Sequence, residues 1–416
     1  MTSVVIWAIV GLSLACMLLR PRGLPEWIAA GTGALALVAG GLLSPAQAVR
    51  ALARGNDVYF FLAGMMLLAE VARRAGLFEW LATHAARAAA GSATRLFVLV
   101  YAACVVVTIV LSNDATAVVL TPAVAAAVRR ARAQPLPYLY ACAFVANAAS
   151  FVLPISNPAN LVVFGRDLPA LGSWLRIFAL PSAAAIGATF ITLFLYARRV
   201  LQRDIVSGVA VRPLGRDGGI ALGGIGATGL ALLIASSRAA ALGMTTALAA
   251  CIVLGCVART NRRAVTETLA GVSWSVLPLV AGLFVLVAGV DRTGSLQFAR
   301  HAVASLGHEP MWLAVFAAGV TSALISNVTN NLPSGLFAGL TLVSAPHARS
   351  LASAIAVGID LGPNLSVTGS LATVLWLVAL RREEISVGAV AFLRVGALVM
   401  PPALLLALAA LYATAR

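Results

Sequence analysis

Lysine is absent from this chain of 416 residues; its 29 basic residues are all arginine, set against 14 acidic ones. Charge of either sign occupies 10% of positions, too little to cover a soluble globule, where about a quarter of residues are charged. Histidine is also scarce, and His84, His301, His308 and His347 all fall in stretches read as loops. No Ser–His or His-Glu-x-x-His arrangement can then sit inside an apolar segment, which excludes an intramembrane hydrolase; the chain reads as a non-enzyme. The cysteines (Cys16, Cys104, Cys142, Cys251, Cys256) lie singly. Without a CxxC or a Cys/His spacing, neither a disulfide frame nor a zinc site is indicated, and no cofactor is implied. Long polar connections are missing too, the longest being about 199–217, so there is no room for a sizeable soluble domain. The arginines are scattered over loops rather than gathered on one face, which speaks against nucleic-acid binding.

What is there is apolar residue, 61% of the chain. Runs suited to crossing a bilayer fall near 3–19, 26–43, 57–72, 138–165, 174–197, 218–236, 240–257, 274–290, 350–380 and 387–413. The first lacks a basic n-region and a cleavage site, so it reads as a retained span. Two further apolar stretches, 96–128 and 310–345, are too long for one span of about 20 residues. Each is broken in its middle by a polar island: Leu111–Pro122, with Ser112, Asn113, Asp114 and Thr116, and Leu324–Pro333, with Ser326, Asn327, Asn330 and Asn331. Such a segment reads as a re-entrant hairpin, because irregular backbone at membrane depth must be covered by protein or line a watery cavity.

Arginine supports that reading. If the Arg20-Pro21-Arg22 turn is cytoplasmic and both hairpins return to the face they leave, the clusters Arg73-Arg74, Arg129-Arg130, Arg198-Arg199 and Arg381-Arg382 all become cytoplasmic. Arg95 and Arg129-Arg130-Arg132 flank the first hairpin and belong on one face. The expected fold is an all-α polytopic membrane protein with about 10 transmembrane helices, two re-entrant hairpins and both termini outside.

The chain also repeats. Ala63-Gly64 and Gly76 recur 218 residues later as Ala281-Gly282 and Gly294, and Ser112-Asn113 recurs 214 later as Ser326-Asn327. An odd number of spans separates the two copies, which makes the repeat inverted. The expected organisation is a first repeat over 1–200 (scaffold 1–95, hairpin and transport spans 96–200), a linker at 201–217 and a second repeat over 218–416, with scaffold to 305 and transport spans from 306. After each hairpin comes a span broken at the midplane, by Pro154-Ile155-Ser156-Asn157-Pro158-Ala159-Asn160 and by Gly358–Ser370. Inverted repeats with broken helices are the mark of secondary transporters. No arginine lies in any of the four islands, so a neutral polyhydroxyl solute or a weak acid fits better than a multiply charged anion. Asp114 and Asp360 are the only acids there, and an intramembrane carboxylate is a proton-carrier candidate. Asp57, Glu70 and Asp291 read as interfacial, and Cys104 as a packing residue.

The run Ile359-Asp360-Leu361-Gly362-Pro363-Asn364 through Gly369-Ser370-Leu371-Ala372-Thr373 and Trp376 closely resembles the late signature of ArsB-type arsenite permeases. Arg20-Pro21-Arg22-Gly23-Leu24, Gly76-Leu77-Phe78-Glu79-Trp80, Asn113-Asp114 and Asn330-Asn331-Leu332-Pro333 agree in order, so the similarity covers nearly the full length. The resemblance implies efflux of arsenite and antimonite across a bacterial inner membrane by proton antiport, some members working also with a cytoplasmic arsenite-stimulated ATPase. It places the chain in the ion-transporter superfamily, whose sodium-coupled dicarboxylate carriers have a Ser-Asn-Thr hairpin tip. Here Ser112-Asn113-Asp114 stands instead, and Pro158 departs from the family pattern. Substrate contacts are expected from Ser112, Asn113, Thr116, Ser156, Asn157, Asn160, Ser326, Asn327, Asn330, Asn331, Thr368, Gly369 and Ser370, with Asp114 and Asp360 coupling protons. A carboxylate or other anion transporter of the same superfamily is the alternative.

Overall fold

With no water to satisfy backbone groups inside a bilayer, an apolar chain can span it only as helices or a closed barrel. This one takes helices. The computed structural model describes residues 2–208, 210, 213–238, 240–260, 263–342 and 347–415. The first half runs α1 (Thr2–Leu19), α2 (Glu26–Ala39), α3 (Pro45–Arg54), α4 (Asn56–Arg74), α5 (Leu77–Ala88), α6 (Ala93–Val110), α7 (Asn113–Ala115), α8 (Thr121–Arg130), α9 (Leu136–Ala148), α10 (Pro158–Phe164) and α11 (Leu171–Leu201). The second runs α12 (Arg216–Ser237), α13 (Leu242–Thr260), α14 (Arg263–Gly271), α15 (Val276–Asp291), α16 (Ser295–Leu306), α17 (Met311–Thr329), α18 (Asn331–Thr341), α19 (Ala348–Leu361), α20 (Leu371–Arg382) and α21 (Ala389–Thr414). The order is the same in both, with α18 standing for α7 and α8 together.

Among the described residues, seven helices are long and apolar enough to cross a membrane, or eight if the pair α3–α4, bent by 50°, is one span. The expected spans at 3–19, 26–43 and the start of 138–165 are shorter apolar helices (α1, α2, α9). Residues read as loops at 45–54, 77–88, 263–271 and 295–306 are helical instead. Two of the loop histidines, His84 and His301, accordingly sit on α5 and α16.

The halves pack reciprocally. α4 lies against α13, and α15 against α2. Both crossings close on a glycine: a Cβ on Gly64 would come 2.7 Å from the Thr246 carbonyl carbon, and one on Gly282 2.8 Å from that of Ala30. Gly76 and Gly294, at φ 73° and 80°, turn the chain into α5 and α16, a left-handed conformation that favours glycine. The equivalent helices α11 and α21 run antiparallel. Ser173 and Arg176 at the start of α11 share a small cavity with Leu411 and Thr414 at the end of α21. At the other end, Tyr140 links Tyr196 of α11 (rings 6.5 Å apart) to Phe144, which stacks on Phe392 of α21 at 5.0 Å. The two halves therefore point in opposite directions.

The helices α6 and α8 form a hairpin whose two ends adjoin. Consecutive linker amides, Ile205 and Val206, donate to the carbonyls of Gly91 and Ala131, both at 2.9 Å. The ion pairs Arg20–Glu26, Arg74–Glu70 (2.8 Å), Arg74–Glu267 (2.9 Å) and Arg129–Glu383 (3.0 Å) join the arginine-rich ends of helices that the sequence puts on one face.

Candidate functional site

Each hairpin ends in a break whose chemistry follows from its residues. In the first, α6 stops at Val110 and Ser112 caps α7, its hydroxyl accepting from the Ala115 amide at 3.2 Å. Pro122 has no N–H to offer the preceding turn, and residues Thr116–Leu120 widen into a π-turn. The Thr121 hydroxyl takes the Thr116 carbonyl (3.0 Å), and Thr116 shares a hydrogen bond with Thr108 at 2.8 Å. Asn113 is buried, accepting from the Asp114 amide. Asp114 is half-buried in the first turn of α7, where the helix N-terminus favours negative charge.

In the second hairpin the break falls at Asn330, at φ 75°, a strained conformation for a residue other than glycine. Asn330 caps α18 and donates to the Thr368 carbonyl (3.3 Å), while the Asn331 amide donates to Gly369 O (2.8 Å). Ser326 and Asn327 lie inside α17, one turn before the break. Ser326 donates to its own helix at Ala323 O, and Asn327 bonds Gly362 O (2.9 Å) and Ser366 (2.6 Å). The structural equivalent of Ser112 is therefore Asn330, an offset of 218 rather than 214.

The broken spans are capped in the same way. Asn157 caps α10 and Ser370 caps α20, so Ser112, Asn157, Asn330 and Ser370 each close a half-helix N-terminus with a side-chain oxygen. Pro158 sits in the first turn of α10, where its missing N–H costs nothing. Ser156 ties its crossover to the hairpin by donating to Ile109 O at 3.1 Å. Gly369 is a close-packing position, a Cβ there coming 2.6 Å from Pro363 Cα.

The two crossovers meet directly. Asn157 donates to Asp360 at 2.7 Å, and Asn147 donates to Asn364 at 2.9 Å, which in turn donates to Phe144 O at 3.1 Å. Asn160 donates to Ser150 O (2.9 Å), and the Ser150 hydroxyl to Asn147 O (2.7 Å). Sequence reasoning passed over Asn147 and Ser150. The available signal was an asparagine in an otherwise apolar helix. Among the described residues, the buried amide and carboxylate oxygens without a partner are Asn147 Oδ1, Asn160 Oδ1, Asn331 Oδ1 and Asp360 Oδ2. All four belong to the broken segments.

The candidate site thus comprises two tip-and-crossover units joined through Asn157 and Asp360. It offers acceptor oxygens and helix N-termini but no cationic side chain. Asp57 and Glu70 lie outside it: Asp57 accepts from the Gly243 amide (2.8 Å) at the head of α13, and Glu70 holds Arg73 and Arg74. Cys104 is fully buried with its sulfur 3.6 Å from that of Cys142. A cavity of about 770 Å³ opens on the face away from the arginine clusters, reaching from Arg54, Asp57 and Asp167 down to Leu161 and Leu336 on α10 and α18. On the opposite side, Asn330 and Thr368 abut Leu14, Met17 and Glu26 of α1 and α2.

Residues 5–358 match the family model described as "Citrate transporter". The arsenical pump membrane protein of Escherichia coli K12 is 27% identical over 97% of both chains, and that of Yersinia enterocolitica 29% over 96% of both. An uncharacterized transporter of Mycobacterium tuberculosis is 29% identical over 86% of this chain and 85% of its own. The crystal structure of the Alcanivorax borkumensis YdaH transporter, described as having an unusual topology, shares the fold at a TM-score of 0.55 and 18% identity. It covers 88% of this chain and 86% of that one.

Proposed function

This chain belongs to the citrate transporter family, and from that premise we propose that it exports arsenite and antimonite from the bacterial cytoplasm. The observation that carries the substrate is the polarity of the broken helices: their unpartnered buried groups are acceptors, and no arginine stands among them. Near neutral pH arsenite is mainly the uncharged trihydroxide, which brings O–H donors and needs no cationic pocket. A tricarboxylate would bring acceptors to acceptors. The arsenical pumps of E. coli and Y. enterocolitica, similar over nearly their whole length, support the same reading.

In this reading Asn113, Asn331 and Thr368 contact the solute, and Asp114 and Asp360 carry protons inward as it leaves. The re-entrant hairpins with α9–α11 and α19–α21 move as one body against a scaffold of α1–α4 and α12–α15, alternately opening each face. The protein then resides in the inner membrane, with its arginine-rich face turned to the cytoplasm, where a partner ATPase would dock.

Arsenite uptake into everted vesicles tests this. Accumulation that collapses when the proton gradient is dissipated supports export by antiport. Well-expressed protein that moves no arsenite overturns the substrate assignment, and sodium- or proton-driven citrate uptake by the same protein would put a carboxylate in its place, as the family's description favours.

A further inference from the structure

The crossover cluster is distinct from the hairpin tips. Asp360 is 1% exposed, and its side-chain hydrogen-bond partner is Asn157, which is uncharged. A buried carboxylate without a counter-charge is costly. The ionisable groups on the helices around it are few: Tyr138, Tyr140 and Cys142 on α9, Arg349 on α19 itself, Arg394 and Tyr412 on α21, and none on α10, α17 or α18. No ion pair joins Asp360 to any arginine among the described residues.

Hydrogen bonds run from the carboxylate to Asn157, from there through the Asn160 amide to Asn160, and on to Ser150 and Asn147. Three oxygens along this chain accept from no protein donor: Asp360 Oδ2, Asn147 Oδ1 and Asn160 Oδ1. The amide orientations are fixed by their other ends. Asn364 gives an N–H to Phe144 O, so its oxygen faces Asn147, whose amide nitrogen donates there. Asn160 likewise directs its amide nitrogen to Ser150 O. Two half-helices, α9 and α19, also end at this point, at Ala148 and Leu361, bringing the negative ends of their dipoles. Acceptor oxygens, a lone carboxylate and converging helix C-termini are the means by which broken-helix carriers hold Na⁺ or H⁺.

We propose that Asp360, Asn147, Asn160 and Ser150 form an oxygen-lined site for one monovalent cation, at which Na⁺ competes with the proton for Asp360. One carboxylate balances one positive charge; a divalent ion would leave the site with a buried net charge. Among the described residues no group of three His, Cys, Asp or Glu side chains could hold a metal, so this is not a transition-metal centre. The proposal rests on Asp360 as a coupling group and extends it by naming a second ion and three further residues.

The test is thermal unfolding of the purified full-length protein in NaCl against equal choline chloride, with ²²Na⁺ binding beside it. Na⁺ should raise Tm by about 2 °C or more at pH 8 and by less at pH 5.5, because a ligand of the folded state stabilises it. The shift and the ²²Na⁺ binding should vanish in Asp360→Asn, which keeps the acceptor for Asn157, and in Asn147→Leu. Both should survive in Asp114→Asn. Should Asn147→Leu fail to fold, Asn160→Ala replaces it. No Na⁺-specific shift in folded wild type, or a shift that persists in Asp360→Asn, overturns the site. Proton-driven arsenite transport would then still stand, whereas Na⁺ binding without arsenite transport would leave the site and remove the substrate.

Discussion

Asn157 donates a hydrogen bond to Asp360 at 2.7 Å, joining the broken span of one half to that of the other across 203 residues of sequence. With the Asn147–Asn364 bond it ties the two crossovers directly together. A buried hydrogen bond to a charged group contributes about 1.5–3 kcal/mol. Asn157→Ala should therefore lower stability by about that amount, measured by thermal unfolding in detergent, and reduce arsenite transport further than its stability loss explains. Full transport at wild-type rate would rule out a coupling role for this contact.

Asp114→Asn and Asp360→Asn should each abolish arsenite resistance in cells lacking their own exporters, with protein still present in the membrane by immunoblot. The isosteric change keeps packing and removes the ionisable group. Resistance that survives either change shows that the corresponding carboxylate is not required for coupling.

The paired helix crossings make a symmetric prediction. Gly64→Val and Gly282→Val each force a side chain into a neighbouring backbone, and overpacking of this kind costs about 1–3 kcal/mol. Gly226→Ala, with nothing within 4 Å of the new Cβ, is the control and should be neutral or slightly stabilising. Equal Tm values for all three would deny that the crossings depend on close backbone approach.

Transport should need no thiol. Replacing Cys104 and Cys142 together by alanine removes two buried packing groups but no solute contact, so arsenite accumulation per folded protein should stay unchanged. Loss of transport with normal folding would show thiol capture of the metalloid.

In a background with the native cysteines replaced, Ala90→Cys and Ala133→Cys should react with an impermeant maleimide from the same side of the membrane. Labelling of the two from opposite sides would make the first hairpin a full crossing.

The hairpins and broken spans were legible because Ser, Asn, Asp and Pro have no business in a lipid-facing helix. Their register was harder. The dipeptide Ser112-Asn113 recurs as Ser326-Asn327, yet the break lies at Asn330, four residues on. Four residues are about one helical turn, so the copied pair stays on the same face while leaving the tip. Ser112, Asn157, Asn330 and Ser370 close half-helices, a role that sequence alone does not separate from facing a solute. Asn147 was missed because a single amide inside an apolar run gives no pattern, and its partner Asn364 lies 217 residues away. The short helices α5 and α16 escaped because twelve residues with polar groups set among the apolar ones are too short and too mixed to read as a span.

The linker amides of Ile205 and Val206 reach both ends of the first hairpin, and this segment belongs to neither half. Two-fold resemblance is broken there. One hairpin is held at its base by this tether of chain, while the base of the other is tied by the Arg300 side chain on Leu340 O. In the proposed alternating motion the two hairpins would start from unequal restraints, and opening the two faces would take unequal work. The seam between the two alike halves thus carries a restraint that, among the described residues, no chain segment supplies to the second hairpin.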